Sequence, residues 1–445
     1  MFPVKAYMRR QIFRLAWPVV LEMLGVMLVS ISITAMMGRF GAVALGAVGL
    51  ATLIQASSAM VFAAAGTGAA AIVSREVGAG NWEAVRIITG QAVLLGGVCG
   101  ALVAAAGYYA ASPVVHSIGA DPAVAVLTVR LLQIMFLASP FFLIMAIGSA
   151  ILRGMGQTRV AFFITTLSNA IAIGFGSVLI FGWGLPAQGP LGAAYGIAAS
   201  QLAGGLVVLA VLASNSRTRL TPGLVLTYHA PIVARILNIS IPAALEQLAL
   251  QGGRMAFTFM LAGVGAVQFA GHQIAVQAES LSFMPGFALS VAAMTLTGLN
   301  LGRGLPHRAR QYVWLINTIA IVGMSGMAMI FLIFAKQLTG LFIDDPEVVY
   351  WGSLCIMIGA LEQPTLAITN ALAGALRGAG DTKWPMYVTT IGVWGARLPL
   401  VYLFIVKWHY DVTIAWYITA ADFLLRSIVL WRRFAGRKWE TIKTL

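Results

Sequence analysis

The sequence predicts an all-α polytopic membrane protein: twelve transmembrane helices in two parallel six-helix repeats, an N-lobe and a C-lobe around a central cleft. Three observations carry this. Of 445 residues 60% are hydrophobic and only 9% charged, where soluble domains carry about 25% charge. Apolar runs near the ~20 residues that cross a bilayer recur along the whole chain. The sequence also matches itself at a constant offset of 224 residues.

Composition excludes whole classes. The 28 basic and 14 acidic side chains are too few to solvate a soluble body of this size, whose surface would need charge. A soluble enzyme and a nucleic-acid binder are both set aside, the net charge of +14 notwithstanding. Gly is abundant, at 48 residues, as in membrane helices. The two cysteines, Cys99 and Cys355, lie in apolar runs and offer neither a disulfide framework nor a metal spacing. No metal or cofactor is expected. The N-terminal stretch lacks a small-residue cleavage site, so no removable signal peptide is expected. No HExxH or GxSxG motif points to a membrane-embedded enzyme.

Spans are expected near 15–37, 46–73, 87–111, 125–152, 159–182, 190–213, 236–261, 268–298, 312–335, 348–376, 384–406 and 413–431. Those beyond 25 residues should tilt, kink or protrude. The connectors carry turn signals such as GAGN, GMGQT, LPAQGP and GAGDT. With the N-terminus in the cytoplasm, 21 of the 28 basic residues fall in cytoplasmic segments and three (Arg39, Lys336 and Lys407) in external loops. That bias is a strong positive-inside signal, and an even span number puts both termini in the cytoplasm. The basic excess is therefore topology, with some attraction to anionic membrane lipid.

The internal repeat is ordered and gapless. Pro18 and Glu22 match Pro242 and Glu246; Gly41-Ala42-Val43 match Gly265-Ala266-Val267; Gly78 and Gly80 match Gly302 and Gly304. Arg86 matches Arg310, Pro140 matches Pro364, and LRGMGQT at 152–158 matches LRGAGDT at 376–382. Six spans per repeat is even, so the halves enter from the same side and are parallel. Lobes of this kind, 1–220 and 221–445, suit a transporter working by rocking-type alternating access.

Five acids fall inside spans: Glu22, Glu246, Glu279, Glu362 and Asp422. Each costs about 2.5–3.5 kcal/mol at mid-bilayer on insertion scales, which makes it a functional candidate. Glu22 and Glu246 each follow a helix-kinking proline by four residues. They suit capture of a cation or proton, or else hydrogen bonds within each lobe. Glu279 lies near mid-span, with Gln55 as its neutral repeat equivalent, and pairs with Arg254 or Arg397 in the structural alternative. Glu362 precedes Pro364 by two and has Arg397 as a candidate partner. Asp422 and Arg426, four apart on one helix, self-pair. His272 could join a proton path, or cap a helix at the interface. Asp381 and Gln157 are expected to stabilise cytoplasmic turns, and Asp344, Asp345 and Glu347 to be solvated outside. Abundant Met and Phe would give the cleft an adaptable apolar lining.

The stretches LAWPVVLEML, MGRFGAVALGAVGLA, REVGAGNWEAVR, LRGMGQTR, AGHQIAVQAESLSFMPGFALSVAA, LNLGRGLPHRAR and ALRGAGDTKWP together resemble the multidrug and toxic compound extrusion (MATE) family, bacterial type, over the whole chain. The resemblance implies an inner-membrane efflux transporter, expected to act as a monomer. It would exchange H⁺ or Na⁺ for small, often cationic amphipathic compounds. Departures bear on the site. Many members of the family carry an Asp where this chain has Ile33, and an Asn and an Asp near Ala172 and Gly176; Asn169 lies one turn earlier. A seventh-span Glu of other members falls at Leu250. The missing N-lobe Asp favours H⁺ at a glutamate over Na⁺. Flipping of a lipid or polyprenyl-linked glycan, which wants several cavity arginines, is the alternative within the superfamily, and a channel the alternative outside it.

Overall fold

Backbone N–H and C=O groups in hydrocarbon have no water to bond, so a spanning chain must satisfy them within helices or closed barrels. This chain uses helices throughout. The structure, a computed structural model, describes residues 2–119, 121–184 and 186–442; Lys443, counted above among the cytoplasmic basic residues, lies outside them.

The helices follow the expected spans closely. Span 1 is α1 (Phe2–Gly38), and span 2 is α2 (Ala42–Ala63) with α3 (Ala65–Ala79). Span 3 is α4 (Trp82–Ser117). Span 4 is α5 (Pro122–Leu137) with α6 (Ser139–Gly154), bent by 53° at the break, where Pro140 cannot donate a backbone bond. Spans 5 and 6 are α7 (Thr158–Phe181) and α8 (Leu191–Ser214). After a short α9 (Pro222–Leu226), the second half runs through α10 (Ala230–Leu261), α11 (Ala266–Gly302), α12 (Pro306–Gly340) and α13 (Pro346–Gly378). Span 11 is composite: α14 (Lys383–Thr390), a π-helical stretch Ile391–Arg397, α15 (Leu398–Val401) and a second π-helical stretch Tyr402–Lys407. Span 12 is α16 (Val412–Ala435). Ten helical runs among the described residues are long and apolar enough to cross a membrane, and the bent α5–α6 pair makes an eleventh. The twelfth span, α13, has Glu362, Gln363 and Pro364 near its centre.

The repeat seen in the sequence is built into the turns. Gly80 and Gly304 both take positive φ (75° and 70°), as do Gly156 and Gly380 of the two LRGxGxT loops (80° and 87°), a region that favours glycine. Asp121 and Asp345, also 224 apart, each cap the following helix, accepting from Ala123 N at 2.9 Å and from Glu347 N at 2.9 Å. Each is followed by proline at the first helical position, where the missing N–H costs nothing. Asp345 is thus a helix cap rather than merely a solvated loop charge.

By internal packing the residues form two units, Pro18–Ala244 and Met1–Trp17 with Leu245–Leu445. The first holds a core of Ile72, Ile88, Ile151, Val208 and Leu212 towards the 155–157 turn, and another of Met37, Ala47, Leu131, Leu132 and Met135 towards the 182–190 loop. Residues 221–244 belong to it: Ser240 Oγ donates to the Ala65 carbonyl at 3.0 Å, and Arg235 pairs with Glu76 at 2.9 Å. In the second unit Leu261, Ala275, Phe331, Cys355 and Trp416 form one core. The first seventeen residues belong there, the Tyr312 hydroxyl donating to Gln11 Oε1.

Candidate coupling site

Glu22 and Glu246 sit on α1 and α10 and are closed off in the same way. Arg153 Nη1 of α6 lies 3.0 Å from Glu22 Oε1 and 3.2 Å from Oε2, and Thr165 Oγ1 of α7 donates to Oε1 at 2.9 Å. Arg377 Nη2 of α13 lies 2.7 Å from Glu246 Oε1, and Thr389 Oγ1 of α14 donates to the same oxygen at 3.1 Å. Arg153 and Arg377, and Thr165 and Thr389, are each 224 apart. The sequence thus encodes one three-helix clasp twice. The arginines stand in the LRGxGxT motifs, and testing the offset against every polar residue would have found the threonines.

A different situation surrounds Glu362. Its helix, α13, packs against α11 and α16, and α16 packs against the π-helical stretch 391–397. Pro364 deprives the α13 ladder of one N–H at this level. Glu362 is 1% exposed, and among the described residues neither carboxylate oxygen has a hydrogen-bond donor. The charged groups acting on it are Glu279 of α11, then Arg397 and Asp422. Glu279 can bond to it only when one of the two carboxyls carries a proton.

Asp422 is over-supplied with cations. Its Oδ1 accepts from Arg426 Nε at 2.8 Å and its Oδ2 from Arg426 Nη2, the expected i,i+4 self-pair. Arg397 Nη2 lies 2.7 Å from the same Oδ2. The expected Arg397–Glu362 pair is therefore replaced by Arg397–Asp422. Both guanidinium groups lie over the Phe423 ring, at 5.0 and 5.3 Å. The approach depends on Gly392: a Cβ there would sit 2.5 Å from both Arg426 Nε and Asp422 Oδ1.

The remaining sequence candidates are scattered. Gln55 Nε2 reaches the Met135 carbonyl at 3.5 Å. Asn169 Nδ2 lies against Gly25, 2.9 Å from where a Cβ would be. Arg254 is exposed and makes no ion pair among the described residues, so it does not pair with Glu279. His272 is 3% exposed: its Nδ1 accepts from Trp416 Nε1 at 3.2 Å, and its ring lies against Phe257 and Phe269. Trp416 stands 144 residues away in sequence, a partner that position along the chain could not show. Ile33 and Ala172 are buried, and Gly196 packs so tightly on Gly176 that a Cβ would come within 2.5 Å of its Cα. The polar N-lobe positions of other members are here filled by apolar packing. Asp381 pairs with Arg433 at 2.8 Å, and Gln157 Oε1 accepts from Asn215 at 3.1 Å, each bracing the turn in which it lies. Burial pushes the Asp381 carboxyl up, and Arg433 opposes this.

A helical membrane protein built from two parallel repeats, with charged side chains set inside its spans, defines a class, the membrane transporters. Comparison with known proteins narrows it. The MatE family profile matches residues 18–178 and 242–403, one copy per repeat. The chain is 32% identical over 438 residues to the probable multidrug resistance protein NorM of Thermotoga maritima, covering 97% of this chain and 93% of that one. It is 26% identical over 430 residues to the transporter YisQ of Bacillus subtilis, covering 96% and 94%. Among solved structures, a variant of the Vibrio cholerae MATE transporter VcmN shares the fold with a TM-score of 0.90 at 18% identity, over 98% of this chain and 99% of that one. A MOP superfamily transporter from Pyrococcus furiosus shares it with a TM-score of 0.89 at 18% identity, over 98% and 97%. The chain belongs to the MatE family of efflux transporters and is a multi-pass membrane protein, not an enzyme.

Proposed function

We propose that the protein is an H⁺-coupled antiporter that exports small cationic amphipathic compounds across a bacterial inner membrane, with the carboxyl pair Glu279–Glu362 as its coupling site. The observation that carries this reading is the state of Glu362: buried, with both oxygens lacking donors among the described residues, beside a second carboxyl. A buried carboxylate without partners is strongly disfavoured, whereas a proton shared between two carboxyls satisfies both. Glu22 and Glu246 already have an arginine and a threonine each, so their oxygens are already partnered.

In this reading a cationic substrate and a proton compete for one carboxyl pair. Loading from the cytoplasm releases the proton; after the access change, a proton from outside displaces the substrate. One charge exchanged for another keeps the charge of the site constant, which lowers the cost of re-exposing it. Arg397 close by disfavours Na⁺, which would want several oxygens and no cation. Both termini lie in the cytoplasm, and the monomer is the working unit.

The test is proton-driven uptake of a cationic dye in inverted vesicles. Glu362→Gln and Glu279→Gln should each reduce it at least tenfold, while Glu22→Gln and Glu246→Gln keep the pH dependence of the wild type in whatever protein folds. Unchanged proton-driven uptake in both of the first two variants overturns the assignment. A lipid or glycan flippase would instead move a lipid-linked substrate without regard to the imposed pH gradient.

A further inference from the structure

We infer that Arg397 is the positioning residue that expels the proton from Glu362, by moving its guanidinium from Asp422 to the Glu362 carboxylate. The inference rests on the coupling site proposed above and names what drives proton release there.

Four observations support it. First, Asp422 has two guanidinium partners and needs one. Arg426 engages both of its oxygens, so Arg397 can leave without stranding a buried charge. Second, the groups that would meet are both unsatisfied among the described residues: Glu362 lacks donors at Oε1 and Oε2, and Arg397 has no hydrogen-bond acceptor for Nε or Nη2, its 2.7 Å contact with Asp422 being an ion pair of poor bonding geometry. Third, Arg397 ends a π-helical stretch, Ile391–Arg397, and Leu398-Pro399 follow. The proline crowds and unbonds the turn before it, and π-turns in helices are frequent at functional sites. A backbone already off the α ladder can shift a side chain at low cost. Fourth, the charges balance. Arg397 and Arg426 bring two positive charges and Asp422 one negative. Neutrality then requires one negative charge, hence one proton, on Glu279 and Glu362 together. Loss of that proton leaves one excess negative charge, which a bound cationic substrate neutralises, and the new Arg397–Glu362 pair stabilises the ionised form of Glu362. A further charged group, Glu246, acts on Arg426 but is itself held by Arg377 and Thr389.

The proton budget closes without a co-reactant. One Glu362 O–H bond breaks, the proton leaves to the side open at that moment, and Arg397 keeps its charge throughout.

The experiment is the pH profile of dye uptake in inverted vesicles for wild type, Arg397→Lys, Arg397→Gln, Glu362→Gln and the double variant Arg397→Gln/Glu362→Gln. If Arg397 assists ionisation, Arg397→Gln moves the half-maximal pH upward by about one unit or more, and Arg397→Lys moves it less. Because Arg397 acts through Glu362, the double variant should match Glu362→Gln alone. A wild-type profile for Arg397→Gln, or a double variant at least tenfold worse than Glu362→Gln, overturns the inference. Infrared difference spectra of the wild-type protein between acidic and alkaline pH need no variant to fold. Loss of a protonated-carboxyl band should coincide with a shift of bands marked by ¹⁵N-arginine; carboxyl loss with silent arginine bands also overturns it. If Glu362→Gln keeps proton-driven uptake, the coupling site itself fails; if only the Arg397 variants behave as wild type, this inference fails alone.

Discussion

At the scale of single residues, the acids inside the spans divide by their partners. Glu246 has a side-chain exposure of 4% and Glu22 of 15%, each against one arginine. Removing the cation from a buried pair leaves an uncompensated charge and costs about 3–5 kcal/mol. Arg377→Gln should therefore destabilise the protein near the top of that range, and Arg153→Gln by less, since solvent reaches Glu22. Thermal unfolding in detergent checks the order; an Arg153 variant less stable than the Arg377 variant contradicts it. The double variant Glu246→Gln/Arg377→Gln should recover most of the loss, because both charges are then gone. The sequence singled out Glu22, Glu246, Glu279 and Glu362 from the cost of an acid in hydrocarbon. It could not rank them, because the rank depends on which arginine reaches which acid across helices some 130 residues apart.

At the scale of elements, close backbone approach explains much of the glycine content. A Cβ on Gly154 would lie 2.6 Å from the Ala70 carbonyl oxygen of α3, and one on its repeat equivalent Gly378 would lie 2.2 Å from that of Met294 on α11. Small residues at such crossings let membrane helices pack. Gly378→Ala should cost about 1–3 kcal/mol through forced separation, and Gly154→Ala somewhat less, read as lowered thermal stability and folded yield. An equal or higher melting temperature for Gly378→Ala would show that the crossing yields more easily than the geometry implies. Span positions were legible from hydropathy and turn residues, and the bends were not. The 53° break between α5 and α6 and the π-turns of span 11 come from prolines whose presence was visible. How a helix relaxes around a proline depends on the neighbours that satisfy the freed carbonyls.

At the scale of the whole molecule, the 224-residue offset governs turns, caps, crossings and the paired clasps alike. The positive-inside bias predicts the orientation of the chain, and labelling tests this. In a background lacking Cys99 and Cys355, a cysteine in the 215–221 loop should be shielded from a membrane-impermeant maleimide in right-side-out vesicles, while one in the 186–190 loop reacts. The reverse pattern would invert the topology. The two repeats have nonetheless diverged in charge. The second carries Glu279, Glu362, Arg397, Asp422 and Arg426 inside its spans. Their equivalents at 55, 138, 173, 198 and 202 are Gln, Ala, Ile, Ala and Leu. The asymmetry was readable from the repeat, and it places the proposed coupling chemistry in the second unit.

The sequence by itself determined the class, the span number and the repeat, predicted the orientation, and singled out the short set of acids inside the spans. Each of these follows from composition or spacing along one chain, through the cost of exposing polar groups to hydrocarbon. Only the tertiary structure decided that Glu22 and Glu246 are clasped and that Arg397 joins Asp422. It also decided that His272 is buried among aromatic rings and that Glu362 stands without a donor among the described residues. Those outcomes turn on ångström-scale distances between helices, and pairing energies in a water-poor interior change by several kcal/mol over such distances.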